Sequence, residues 1–168
     1  MEQETETAIA EFVERMGLIT QADGKPRISG RILGLMIVHG GPFGFNELAE
    51  RLSVSRASIS TNTRLLEDLG VIERTATPGD RQDYFRLSGQ PYARMLRGFV
   101  ERMRRAREVV EGAQAALPQD MAGAQERLAE LDAFYEALIE SFGTVIEAWD
   151  AKRKISAPRK RAPTKQPA

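Results

Sequence analysis

One stretch, residues 45–87, restricts the fold of this chain more than any other: a short helix, a tight turn, a second helix and a hairpin with a charged tip follow in order. That order predicts a winged helix-turn-helix. In the first helix Asn46 is expected at the N-cap, with Leu48 and Leu52 on one face. Leu52-Ser53-Val54-Ser55 leaves room only for a turn, and Ser55 is placed to accept a hydrogen bond from the free amides that begin the next helix. Ile59, Leu66 and Leu69 form the inward side of that second helix. Ser58, Ser60, Thr61 and Arg64 are left outward, short hydroxyls and one guanidinium that suit base edges and phosphates. Gly70 is expected to stop the helix.

Val71 to Thr75 and Tyr84 to Leu87 are rich in strand formers, and Thr77-Pro78-Gly79-Asp80-Arg81-Gln82 between them is a run of turn formers. Most such loops are only solvated turns. Here a basic tip, Arg81 with Gln82 beside it, directly follows a candidate recognition helix, which favours DNA reading over a protein-binding or purely structural winged helix.

The residues Arg27-Ile28-Ser29-Gly30-Arg31-Ile32-Leu33-Gly34-Leu35, then Leu48-Ala49 and Val54-Ser55, then Ser58 through Glu67, then Pro78-Gly79-Asp80-Arg81 followed by Tyr84, resemble the GbsR-like branch of the MarR family across residues 5–150. The resemblance implies a homodimeric bacterial transcriptional regulator, as a rule a repressor, whose hold on a palindromic operator is altered by a small molecule. It also implies that Ser58, Ser60, Thr61 and Arg64 lie in the major groove or on its phosphates, and that Arg81 reaches into the minor groove. In the wider family the position of Thr61 is often basic. The departure here shifts phosphate contact toward Arg56 and Arg64 and leaves the bases that are read open.

The 168 residues suffice for one domain or for a small domain with a dimerisation appendage, and 42% hydrophobic with 29% charged residues is an ordinary folded composition. No apolar run approaches the ~20 residues of a membrane span, and Met1-Glu2-Gln3-Glu4 lacks the basic start of a secretory signal, so a cytoplasmic protein is expected. Cysteine is absent, which excludes disulfides, thiolate nucleophiles and cysteine-based oxidant sensing; any sensing is non-covalent. The formal net charge of zero conceals segregation: Glu2, Glu4, Glu6, Glu11 and Glu14 crowd the start, and Lys152, Arg153, Lys154, Arg159, Lys160, Arg161 and Lys165 the end. Exposed charges farther apart than ~8 Å are largely screened, so the local field governs phosphate attraction and neutrality argues only against strong non-specific binding.

The expected fold class is mainly α: a winged helix-turn-helix domain with a small β-hairpin wing, plus N- and C-terminal dimerisation helices. Residues 1–20 form the first such helix, with Ile9, Phe12, Val13 and Met16 on one face. The winged domain occupies 27–90, opened by an apolar helix from Ile28 to Val38 that Gly40-Gly41-Pro42 ends. Residues 91–152 form long helices. Pro91 opens one in which Tyr92, Met95, Leu96, Phe99, Met103, Ala106 and Val110 share a face, and Leu117-Pro118 closes it. In the last, from Met121 to Trp149, Leu128, Tyr135, Phe142 and Trp149 recur every seven residues with Leu131, Leu138 and Val145 between them, a coiled-coil-like seam. Self-association through this seam and Phe12 is expected; antiparallel pairing with residues 91–117 is the alternative. A dimer would set two recognition helices ~34 Å apart, on an inverted repeat. Residues 153–168 are expected to be a disordered basic tail that either holds phosphates or merely solubilises.

An enzyme is not expected. His39 is the lone histidine, at the end of an apolar helix, Gly30 and Gly34 look like close-packing positions rather than a phosphate loop, and neither metal ligands nor a cofactor motif are present. An effector pocket could draw on Phe12, Met16, Phe43, Tyr92, Phe134 and Tyr135. Some members of the GbsR-like branch respond to choline, and such aromatics could hold a quaternary ammonium by cation-π attraction; the same residues also fit helical core spacing. The rival reading from another class is a winged-helix adaptor that binds protein and lacks sequence preference on DNA.

Overall fold

A computed structural model describes residues 1–76, 80 and 82–156, the side chains of 154–156 excepted. The chain runs α1 (Glu2–Ala22), α2 (Arg27–His39), β1 (Phe43–Gly44), α3 (Phe45–Leu52), α4 (Arg56–Asp68), β2 (Ile72–Ala76), β3 (Asp83–Leu87), α5 (Pro91–Ala116) and α6 (Ala122–Ser156). It divides into two compact units, Met1–Gly98 and Phe99–Ala168, the division falling within α5. The mainly α, winged helix-turn-helix expectation holds.

In the first unit α1 lies on α2 through glycines. A Cβ on Gly30 would fall on the Thr20 hydroxyl and the Met16 carbonyl, and one on Gly34 would press Val13 Cα at 3.2 Å. Glu14 of α1 closes the same face by pairing with Arg27 and, at 3.1 Å, with Arg31. The N-terminal helix is thus built into the winged unit rather than standing apart as an appendage. Beneath it Ile32, Met36, Leu48, Leu52, Ile59, Leu66, Ile72 and Phe85 make one hydrophobic core. Each such burial is worth about 1.5–3 kcal/mol relative to exposure, so this cluster holds the helices and the sheet in register.

Four sequence expectations are corrected. The wing is not a two-stranded hairpin but part of a three-stranded sheet, order β1-β3-β2, in which Phe43 pairs with Phe85 and Gly44 with Tyr84. Because β1 feeds directly into α3, Gly44 is the N-cap and Asn46 lies inside the helix. The buried positions of α5 are Ala93, Val100 and Val110, while Tyr92 and Met95 remain 44% and 39% exposed. The rest of the expected stripe, Leu96, Phe99, Met103, Ala106 and Val110, is half-buried or buried, and at the helix start Ala93 takes the inward place expected of Tyr92. Finally α6 continues through Ser156, so residues 153–156 belong to the helix; the rest of the expected tail, 157–168, lies outside the described residues.

Candidate nucleic-acid interface

Backbone chemistry fixes the helix-turn-helix. At the end of α3, Ser53 adopts a left-handed conformation, φ 52°, and the amides of Ser53 and Val54 return to the carbonyls of Glu50 and Ala49. Two residues later the Ser55 hydroxyl oxygen accepts the Ser58 amide at 3.2 Å and starts α4 as expected. Gly70, φ 70°, ends it: its amide donates to Glu67 and that of Val71 to Leu66, a Schellman closure. Ser88 then ties β3 to this stop, its hydroxyl donating to the Gly70 carbonyl at 2.8 Å.

On α4, Ile59, Asn62, Thr63 and Leu66 are buried, and Ser55, Arg56, Thr61 and Arg64 are exposed, with Ser58 and Ser60 half-buried. Several hydroxyls are already occupied in part: Thr61 donates to the Ala57 carbonyl at 3.1 Å and Thr63 to that of Ile59 at 2.9 Å. The cations differ. Arg51 pairs with Glu47, Arg86 and Arg94 with Glu73, and Arg74 with Glu67 and Asp83. Among the described residues Arg56 and Arg64 have no such partner. The outward face of α4 therefore carries two guanidinium groups that no ion pair engages. A hollow of about 300 Å3 lined by Phe45, Arg56, Ala57 and Ser60 opens beside it.

The two faces of the wing differ. Ile72, Phe85 and Leu87 turn to the core, and the Arg74 guanidinium covers the Phe85 ring at 5.6 Å. On the other face Glu73 sits directly opposite Arg86, an ion pair of 2.9 Å. Toward the tip, Asp80 accepts the Gln82 amide at 2.9 Å and the Tyr84 hydroxyl at 2.7 Å. That bond to the Asp80 carboxylate holds the Tyr84 phenol above its ordinary pKa of 10.0, and Glu67 and Asp83 raise that of Arg74. Gln82 packs its amide over Gly44, where a Cβ would collide with it. Arg81, the expected minor-groove residue, lies outside the described residues.

In the second unit α6 folds back along α5. Gln125 donates to the carbonyls of Gln114 and Leu117, Arg107 binds Asp132 at 2.7 Å, and Phe99 meets Phe142 edge-on at 5.0 Å. The contacts climb α6 as they descend α5, so the pair is antiparallel. The seam splits accordingly. Leu128, Tyr135, Ile139, Phe142 and Ile146 are half-buried, whereas Leu131 (38%), Phe134 (57%), Val145 (50%) and Trp149 (38%) leave a second apolar stripe exposed, with half-buried Leu138 between them. Of the effector candidates, Phe12, Met16, Phe43 and Tyr92 belong to the first unit and Phe134 and Tyr135 to the second. Phe43 is core, 4% exposed, with Arg51 over its ring at 5.3 Å; Phe134 and Tyr135 lie 6.2 Å apart.

Sequence reasoning gave Arg74 no role, because its partners Glu67 and Asp83 meet it only in the fold, and quoted Asp80 and Tyr84 without the bond between them. The only signal was the alternation Glu73-Arg74 and Tyr84-Phe85-Arg86 in a predicted hairpin, which places opposite charges across the strands. Among the described residues no cluster of metal-ligating side chains occurs, and no helix is long and apolar enough to cross a membrane.

Residues 24–83 match the family model of the MarR family. The chain is 40% identical over 113 residues to the HTH-type transcriptional regulator MmpR5 of Mycobacterium tuberculosis, a match covering 67% of each chain. Among solved structures it is similar to one described as a transcriptional regulator, with 30% identity, a TM-score of 0.79, and coverage of 86% of this chain and 99% of that one.

Proposed function

The chain belongs to the MarR family, and from that premise we propose that it is a dimeric, sequence-specific DNA-binding regulator of the GbsR-like branch, a cytoplasmic repressor without catalytic activity. It occupies a promoter inverted repeat as a homodimer. A small molecule, bound non-covalently because the chain has no cysteine, releases it by shifting the separation of the two reading heads.

The observation that carries this reading is the pair of guanidinium groups outside any ion pair, Arg56 and Arg64, on the outward face of α4 among Ser58, Ser60 and Thr61. Hydroxyls of this size approach base edges, and the two arginines take phosphates. Arg81 and Gln82 are assigned to the adjoining minor groove. Dimerisation is assigned to the partly exposed apolar stripe of α6, Leu131, Leu138, Val145 and Trp149, together with Phe12; Phe142 has its partner within the chain. The effector is assigned to aromatic side chains, either Phe12 and Tyr92 of the first unit or Phe134 and Tyr135 of the second.

The test is the salt dependence of binding to a selected DNA fragment by the wild type, Arg56→Ala and Arg64→Ala. Each replacement is expected to weaken binding and to lower the salt slope by about 1. Binding and slope unchanged in both variants would overturn the assignment of α4 to DNA.

A further inference from the structure

Arg74 joins parts of the first unit that are far apart in sequence. From β2 its guanidinium reaches Glu67, near the end of α4, through two contacts of 3.3 and 3.4 Å, and Asp83 of β3 at 3.0 Å. It lies over Phe85, whose ring meets Phe45 edge-on at 4.9 Å, and Phe45 in turn lines the hollow beside Arg56, Ala57 and Ser60 of α4. The wing is thus tied to the far end of the recognition helix through one forked cation, and to α3 through the ring contact of Phe85 with Phe45.

We propose that Arg74 is a positioning residue that sets the wing against α4, so that the two elements meet adjacent grooves of one DNA site together; this rests on the DNA-reading function proposed above. Arg74 is half exposed, and exposed ion pairs add little to global stability. Its two carboxylates engage the fork that would otherwise face phosphates, so its contribution is geometric. A lysine keeps the charge but lacks the planar fork that spans Glu67 and Asp83.

The sign of one substitution decides the matter. Glu67→Gln removes a negative charge from the DNA-facing unit, so simple electrostatics requires tighter binding, whereas loss of the tie requires weaker binding. The experiment measures the affinity of the full chain for a selected operator fragment at two salt concentrations, for wild type, Glu67→Gln, Arg74→Lys and the double variant. The expected result is binding weakened on the order of five-fold by either single change, no further loss in the double variant, and a salt slope equal to that of the wild type. Tighter or unchanged binding by Glu67→Gln, or full affinity in Arg74→Lys, overturns the proposal and leaves DNA reading intact. A wild type that selects no DNA sequence removes both.

Discussion

The Tyr84 hydroxyl donates a 2.7 Å hydrogen bond to one oxygen of Asp80, while the other accepts the amide of Gln82. The phenol is thereby kept protonated beyond its ordinary value of 10.0, the hydrogen bond being the largest cause. A group raised in this way contributes stability that is fully present below pH 10.0 and is lost as pH rises through the higher folded value. Ultraviolet titration should find one tyrosine ionising above 10.0, absent in Tyr84→Phe and returned toward 10.0 by Asp80→Asn. A Tyr84 that ionises no higher in the wild type than in Asp80→Asn would contradict the bond.

Gly30→Ala should cost about 1–3 kcal/mol in urea unfolding, because the added methyl meets the Met16 carbonyl and backbone does not yield as a side chain does. Gly112→Ala, at an exposed position of α5 where an added Cβ meets nothing within 4 Å, is expected to stabilise instead, by about 0.5–1 kcal/mol. Equal midpoints for the two variants would refute the account of α1 on α2.

Ser55 serves the fold and the interface in different ways. Replacement by Ala removes the cap of α4 and should cost about 1 kcal/mol of stability. Ser55→Asp keeps a capping oxygen but puts a negative charge on the same surface, so stability should be retained while DNA affinity falls. Retained affinity would move Ser55 off the interface.

Val145→Glu places a charge in the exposed stripe of α6 without touching the pairing of Phe99 with Phe142. Light scattering should find a folded monomer with poor operator binding. An intact dimer would shift self-association to another surface.

Much of this was legible because it is local. Ser55 at a cap, Gly70 at a helix stop and Pro91 at a helix start each act through their own backbone, and each lies where the sequence put it. Asn46 misled because the competing influence was distant: Phe43 and Gly44 pair with β3, and the chain leaves that strand straight into α3. Ala93 was passed over because an alanine carries little periodic signal, yet its small size is what lets it sit inward. Arg64 was legible as an outward cation; that Arg74, also basic and also exposed, is engaged by Glu67 and Asp83 follows only from the fold.

The central claim is that two copies of this chain read one inverted repeat. It is tested most directly by incubating the purified protein with random and genomic DNA fragments and sequencing those it retains. The account predicts an enriched inverted repeat with half-sites centred about ten base pairs apart. Retained fragments with no common motif, held only weakly and with steep salt dependence, would contradict it and favour an adaptor whose winged helix binds protein.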